Sequence, residues 1–257
     1  TPVDKRVVVE MLPYFTEKFG NPSSATHAYG NQALSGVEDA RRQVASIIQA
    51  KSSEILFTSG ATESISLALV GVAEYAQRGH IVTSKTEHEA VLRSCEILKR
   101  KGFSVTLLDV DCDGNICLSE LNEVINSQTI MVSLMAANNE VGTIHPVKAI
   151  GEICRKNGVL FHCDATQAIG KIKIDARDCN IDLLSFSSHK LYGPKGVGAL
   201  YVRSGKPRIR LNPQSFGGGQ ERGLRAGTLN VPGIVGFGAD CRLASELCET
   251  ESLMLSD

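Results

Sequence analysis

The sequence predicts an α/β fold, a mostly parallel, seven-stranded sheet with helices on both faces. Three observations predict it. Seven short runs rich in β-branched and apolar residues recur along the 257 residues, at 55–59, 80–84, 105–110, 130–137, 159–165, 183–189 and 198–203. Several are apolar without alternation, the pattern of strands covered on both faces. The segments between them are long enough to hold the crossover helices that parallel strands require.

Taken in order, the first run leads into the clearest helix, where Ile65, Ala68, Leu69, Val72, Ala73 and Ala76 recur on one face at 3.6-residue spacing. A second helix is expected at 118–125 after a turn. A third, at 150–156, runs into Asn157-Gly158, a strong chain-reversal signal. Beyond Leu211, the run Gly217-Gly218-Gly219 with Gly223 and Gly227 predicts an extended loop, and a long helix is expected from Val231. No internal repeat or low-complexity linker divides the chain.

Composition narrows the function classes. With 42% hydrophobic and 21% charged residues the chain is an ordinary globular sequence, far from the disordered regime. Lys+Arg 27 against Asp+Glu 28 leaves a formal charge of -1, so no global field exists to hold a nucleic acid or an anionic membrane. Anion binding is left to specific pockets. No uncharged run approaches the ~18 residues that span a bilayer, and no basic-then-apolar leader opens the chain. The expected location is therefore cytoplasmic, with an organellar matrix as the alternative. The eight cysteines, Cys95, Cys112, Cys117, Cys154, Cys163, Cys179, Cys241 and Cys248, form no C-x-x-C pair and are expected to be reduced thiols.

Three strand ends carry chemistry. The segment from Phe57 to Ser64 reads as strand, then a Gly- and hydroxyl-rich turn, then helix. Backbone N–H groups at such a helix start form a phosphate cradle, to which Ser59, Thr62 and Ser64 could add hydroxyls. The bland alternative is that Thr62 simply caps the helix. Asp164, in His162-Cys163-Asp164-Ala165-Thr166-Gln167, puts an acid at the C-terminal end of a buried strand, the edge where α/β sheets bind ligands. It could cap the next helix, or hold a cationic ring nitrogen protonated. Lys190, in Ser187-Ser188-His189-Lys190, stands at another such edge, where a desolvated amine can form a Schiff base.

The ordered set Gly60-Ala61-Thr62-Glu63-Ser64, Thr86-Glu87-His88, Asn138-Asn139-Glu140-Val141-Gly142, Asp164-Ala165-Thr166-Gln167, Ser187-Ser188-His189-Lys190 and Gly217-Gly218-Gly219-Gln220-Glu221-Arg222-Gly223 resembles the cysteine desulfurases of the NifS/IscS group. These are class V aminotransferase-like, fold-type I enzymes that use pyridoxal 5'-phosphate. The resemblance implies that Lys190 carries the cofactor and later moves the substrate's α-proton. It implies that Asp164 pairs with the ring nitrogen, that Gln167 bonds the phenolic oxygen, and that His88 stacks on the ring and serves in acid/base steps. Asn139 would lie near the ring oxygen and the substrate carboxylate. Ala61, Thr62, Ser187 and His189 would hold the phosphate, with Thr228 reaching it from the other subunit of a homodimer.

The reaction so implied takes sulfur from L-cysteine, leaving L-alanine and an enzyme persulfide for an iron–sulfur scaffold or another acceptor protein. A selenocysteine lyase, another aminotransferase-like enzyme, or a fragment that only binds cofactor and partner are the rival readings. Residues 1–245 are expected to form the cofactor-binding large domain and 246–257 the start of a connection to a C-terminal small domain. In the resembled family that small domain carries the nucleophilic cysteine and the arginine for the substrate carboxylate, and neither motif occurs in these residues. The opening of the family pattern is also missing before Thr1.

Other signals carry less. Residues 109–120 satisfy an EF-hand pattern, but a calcium loop is entered from a helix and this one follows an expected strand, so it reads as a turn and no metal site is expected. Gly193 to Gly198 is expected to turn the chain tightly past the cofactor. Arg208, Arg210, Arg222 and Arg225 are read as a subunit contact or solvated charge, and His27 as a loop or subunit-contact residue. His80, His145 and His162 lack metal-ligand spacing.

Overall fold

The protein is described by a computed structural model, which covers the backbone of residues 1–24 and 27–254 and the side chains through residue 246. All seven expected strands form, each within two residues of its expected bounds: β1 Ile55–Thr58, β2 His80–Ser84, β3 Ser104–Leu108, β4 Thr129–Met135, β5 Leu160–Asp164, β6 Leu183–Ser187 and β7 Gly198–Val202. Their order in the single sheet is β1-β7-β6-β5-β4-β2-β3. The pairs β2/β3, β2/β4, β4/β5 and β5/β6 are parallel. Strand β7 is antiparallel to both of its neighbours, β6 and β1. The short segment between β6 and β7 cannot hold a crossover helix, so the chain must return against the direction of the other six.

Eight α-helices accompany the sheet among the described residues: α1 Lys5–Met11, α2 Pro13–Thr16, α3 Ala28–Ser46, α4 Ala61–Ala76, α5 Glu89–Arg100, α6 Leu118–Val124, α7 Val147–Asn157 and α8 Val231–Met254. The expected boundary between residues 245 and 246 falls within α8. Alternate strand residues serve opposite faces. Leu56, Leu183 and Leu200 join the α4/α5 side, with Ile65, Leu69 and Leu98. Ile55, Phe57, Leu184, Phe186 and Tyr201 join the other side, with Val37 and Val44 of α3, Ile150 of α7 and Phe237 of α8. Phe186 and Phe237 meet edge to face, their centroids 5.4 Å apart. Both faces are therefore dry, which is why the strands carry unbroken apolar runs. Among the described residues no helix is long and apolar enough to cross a membrane.

Local chemistry sets the helix ends. Gly158 takes the left-handed conformation (φ 68°) that closes α7. His27 proves to be the N-cap of α3, its Nδ1 accepting the Gly30 N–H at 3.2 Å. The EF-hand-like segment follows β3, and Asp111 Oδ1 accepts the N–H groups of Asp113 and Asn115 at 2.9 and 2.8 Å. That carboxylate is committed to its own turn.

Candidate active site

Six strands point their carboxyl ends to one edge of the sheet, where open α/β folds bind ligands. There the segments following β1, β2, β4, β5 and β6 enclose a cavity of about 470 Å³, within the usual range for small-molecule sites. Nine of the ten residues to which the resemblance gives a role line it: Ala61 and Thr62 after β1, His88 after β2, Asn139 after β4, Asp164 and Gln167 at the end of β5, and Ser187, His189 and Lys190 at the end of β6. The tenth, Thr228, lies outside this wall, exposed on the glycine-rich loop before α8.

The cradle is backbone. Gly60 has φ +153°, a conformation open to glycine, and caps α4 without a side-chain bond. The first backbone bond of this turn runs from Ser64 N–H to Gly60 O. The N–H groups of Ala61, Thr62 and Glu63 have no helical acceptor and are available to an anion. Two sequence expectations change here. Thr62 is the second residue of α4 and does not cap it. Ser64 is fully buried and bonds the Thr58 hydroxyl at 2.8 Å, so its hydroxyl belongs to the core and not to the cradle. Glu63 reaches back to the Ser59 N–H at 2.7 Å and pairs with Arg225 at 2.9 Å.

Asp164 is 5% exposed. Its Oδ1 accepts the N–H and hydroxyl of Thr166, at 3.0 and 2.5 Å, while Oδ2 accepts no hydrogen bond among the described residues. Burial pushes its carboxyl above the ordinary value, an effect that the Thr166 bonds and the nearby His88 only partly offset. A buried carboxylate with one oxygen open to a cavity favours a cationic partner there. Gln167 takes a hydrogen bond on Oε1 from Lys171 at 3.0 Å. Lysine can only donate, so the amide NH₂ of Gln167 is the end left for the cavity.

His88 is the N-cap of α5, and its Nδ1 accepts the Ala90 N–H at 3.1 Å. In the neutral ring the proton is therefore on Nε2. His189 Nδ1 lies 3.0 Å from the Ser187 hydroxyl, and burial, with Lys190 and Lys195 nearby, lowers its pKa. Lys190 is half-buried on a 3-10 turn, Ser188–Lys190, one step past the end of β6.

Sequence reasoning gave no role to Glu87. It is buried, its Oε1 accepting the Met135 N–H at 2.8 Å, while Oε2 has no partner among the described residues. Burial pushes it up to about 8. Asn138 Nδ2 donates to Thr86 O at 2.9 Å. Together these bonds tie the loop bearing His88 to the end of β4. Only the adjacency of Glu87 to His88 could have flagged it. The four arginines read as one group are dispersed in role: Arg222 donates to Ile55 O at 2.9 Å, and Arg225 pairs with Glu63.

This donor set fits pyridoxal phosphate. The cavity wall offers orphan N–H groups for a phosphate, a buried carboxylate for a ring nitrogen and a lysine for an aldehyde.

The class-V aminotransferase family matches residues 1–253. The chain is 57% identical over 246 residues to the cysteine desulfurase IscS of Anaeromyxobacter sp. (strain Fw109-5), covering 95% of this chain and 61% of that protein. It thus spans less than two thirds of that curated relative's length. Among solved structures it is similar to a NifS-like protein, with 46% identity and a TM-score of 0.93 over 97% of this chain and 68% of that one. It is also similar to SspA in complex with cysteine, with 43% identity and a TM-score of 0.90 over 94% and 70% of the two chains. By the family match over residues 1–253 and by its likeness in sequence and fold to a NifS-like protein, the chain belongs to the class-V aminotransferases, a pyridoxal-phosphate family, as a NifS-like member.

Proposed function

We propose that this chain is the cofactor-binding large domain, residues 1–245, of a cysteine desulfurase that works as a homodimer, with residues 246–257 leading toward a small domain. One observation carries the reading: the open oxygen of Asp164, the amine of Lys190 and the orphan N–H groups of α4 converge on one cavity. Bound pyridoxal phosphate supplies an electron sink for a carbanion at the Cα of L-cysteine. The carboxylate of Asp164 would keep the ring nitrogen protonated, and the NH₂ of Gln167 would be the donor to the phenolic oxygen. The N–H groups of Ala61 and Thr62, with Ser187 and His189, would hold the phosphate, and Thr228 would serve the site of the second subunit.

The amine of Lys190 takes the Cα proton. His88, with its proton on Nε2, lines the same cavity and would serve there as a general acid. Asn139 orients the substrate carboxylate. No cysteine lines the cavity among the described residues, so a thiolate from outside its wall would form an S–S bond with the substrate sulfur as the Cβ–S bond breaks. The bonding pair would return to the substrate carbons, which become L-alanine on protonation. The persulfide would then pass its sulfur to an iron–sulfur scaffold or other acceptor protein. The relative solved with cysteine supports the substrate.

The test is Lys190→Ala. The purified protein should lose its visible cofactor band, and borohydride should no longer fix a cofactor mass on the peptide bearing residue 190. A band that survives the substitution removes Lys190 from its assigned role.

A further inference from the structure

The cradle contains a group that a phosphate should repel. Glu63 is the third residue of α4 and lines the cavity beside the N–H groups that are to hold the phosphate. It is ionised: burial raises its pKa, and hydrogen bonds from Arg225 and Ser59 outweigh that and leave it below the ordinary value. The carboxylate has a structural task, since its Oε2 satisfies the Ser59 N–H at 2.7 Å and so helps hold the glycine turn at residue 60. Its charge is nevertheless in the wrong place for binding an anion.

Arg225 answers that charge. Its Nε lies 2.9 Å from Oε1 and its Nη2 3.5 Å from Oε2, and both side chains are mostly buried, at 24% and 29% exposed. The cation comes from the glycine-rich loop, 162 residues further along the chain. That loop is itself fastened to β1, the strand leading into the cradle. Glu221 accepts two bonds from Arg41, at 2.7 and 2.9 Å, and one from Phe57 N–H at 2.8 Å. Glu221 and Arg222 hold left-handed conformations, with φ of 45° and 60°. Such a turn persists only where surrounding bonds over-determine it. The loop and the cradle are therefore one fastened unit. The other cations in the cavity wall, Lys190 and Lys195, make no ion pair with Glu63.

We propose that Arg225 is the counter-ion that lets Glu63 stand in the wall of a phosphate site, so that docking of the glycine-rich loop sets how tightly the phosphate is held. The inference rests on the pyridoxal-phosphate reading. Arg225 is on this account a positioning residue, acting on the phosphate through Glu63.

The experiment titrates the cofactor-free protein with pyridoxal phosphate and, separately, with pyridoxal, following absorbance and fluorescence. Arg225→Met should weaken pyridoxal phosphate by roughly tenfold or more while leaving pyridoxal, which has no phosphate, unaffected. Adding Glu63→Gln to that variant should restore binding to within about threefold, because no unpaired charge then remains. Equal losses for both ligands, or a double variant as weak as the single, would mean that Arg225 merely supports the loop, and would overturn the proposal. So would unchanged binding in Arg225→Met. Failure of the unaltered protein to bind pyridoxal phosphate would overturn the cofactor reading and this inference together.

Discussion

Two residues of β5, His162 and Asp164, sit two positions apart on one strand and point to the same side of the sheet. Both are buried and both are polar. His162 is satisfied at each ring nitrogen, by Ser133 at 2.8 Å and Ser185 at 2.9 Å, and burial pushes its pKa down to about 3. Asp164 keeps one oxygen free at the end of the strand, where the neighbours fall away into the cavity. The sheet interior closes its hydrogen bonds on itself, and the sheet edge leaves them open for a ligand. A buried polar group is structural or functional according to which of its atoms lack a protein partner.

Breaking the open end should cost chemistry and little fold. Asp164→Ala should leave the circular-dichroism spectrum intact and lower turnover in the proposed desulfurase reaction by about 10²–10³, the scale of losing one preorganised electrostatic partner. Normal turnover would erase the distinction drawn between the two residues.

Breaking the closed end should do the reverse. His162→Leu strands the Ser133 and Ser185 hydroxyls in the core and should destabilise by about 2–4 kcal/mol. Cofactor absorbance at saturation should be unchanged. A lost band without lost stability would place His162 in the site.

Glu87 lies between these cases, buried like His162 and half-open like Asp164. It ionises near 4.5 ordinarily and at about 8 in the folded protein. Below pH 4.5 it is protonated in both states and costs nothing. Between pH 4.5 and 8 the unfolded chain gains by ionising and the folded one does not, so stability falls as pH rises. Glu87→Gln should flatten that slope, recovering on the order of a few kcal/mol at pH 8. Melting curves of the cofactor-free protein at pH 5 and pH 8 measure it, and equal slopes in the two proteins would refute the assignment.

The smallest effect is expected outside both regions. Cys117 is exposed at the start of α6, its pKa lowered chiefly by the Ser119 hydroxyl 3.0 Å away, and it does not line the cavity. Cys117→Ser should leave the proposed persulfide formation from L-cysteine unaltered in a radiolabelled-sulfur assay. A loss would identify Cys117 as the nucleophile.

Much of this was legible in advance. The seven strands announced themselves because strands covered on both faces need unbroken apolar runs, and their ends slipped by a residue or two where the sheet frays into site loops. Helix α3 was not picked out, since Gly30 and Gly36 interrupt its pattern. Both glycines are there for packing: a Cβ at residue 30 would lie 1.9 Å from Ser24 O, and one at residue 36 would lie 2.4 Å from the Tyr14 hydroxyl. Glu87 stayed hidden because its burial comes from Met135 and Ser84, which sit on different strands.

The sequence by itself determined the strands, four of the helices and the identity of the strand-end residues, because hydrophobic period and turn chemistry act within a few neighbouring positions. Only the tertiary structure decided that β7 pairs with β1, that Ser64 turns inward, that Asp164 keeps an oxygen free and that Arg225 meets Glu63. Those outcomes depend on distance and burial between residues far apart in the chain, and the energy of a charge or a hydrogen bond is set by what surrounds it in space.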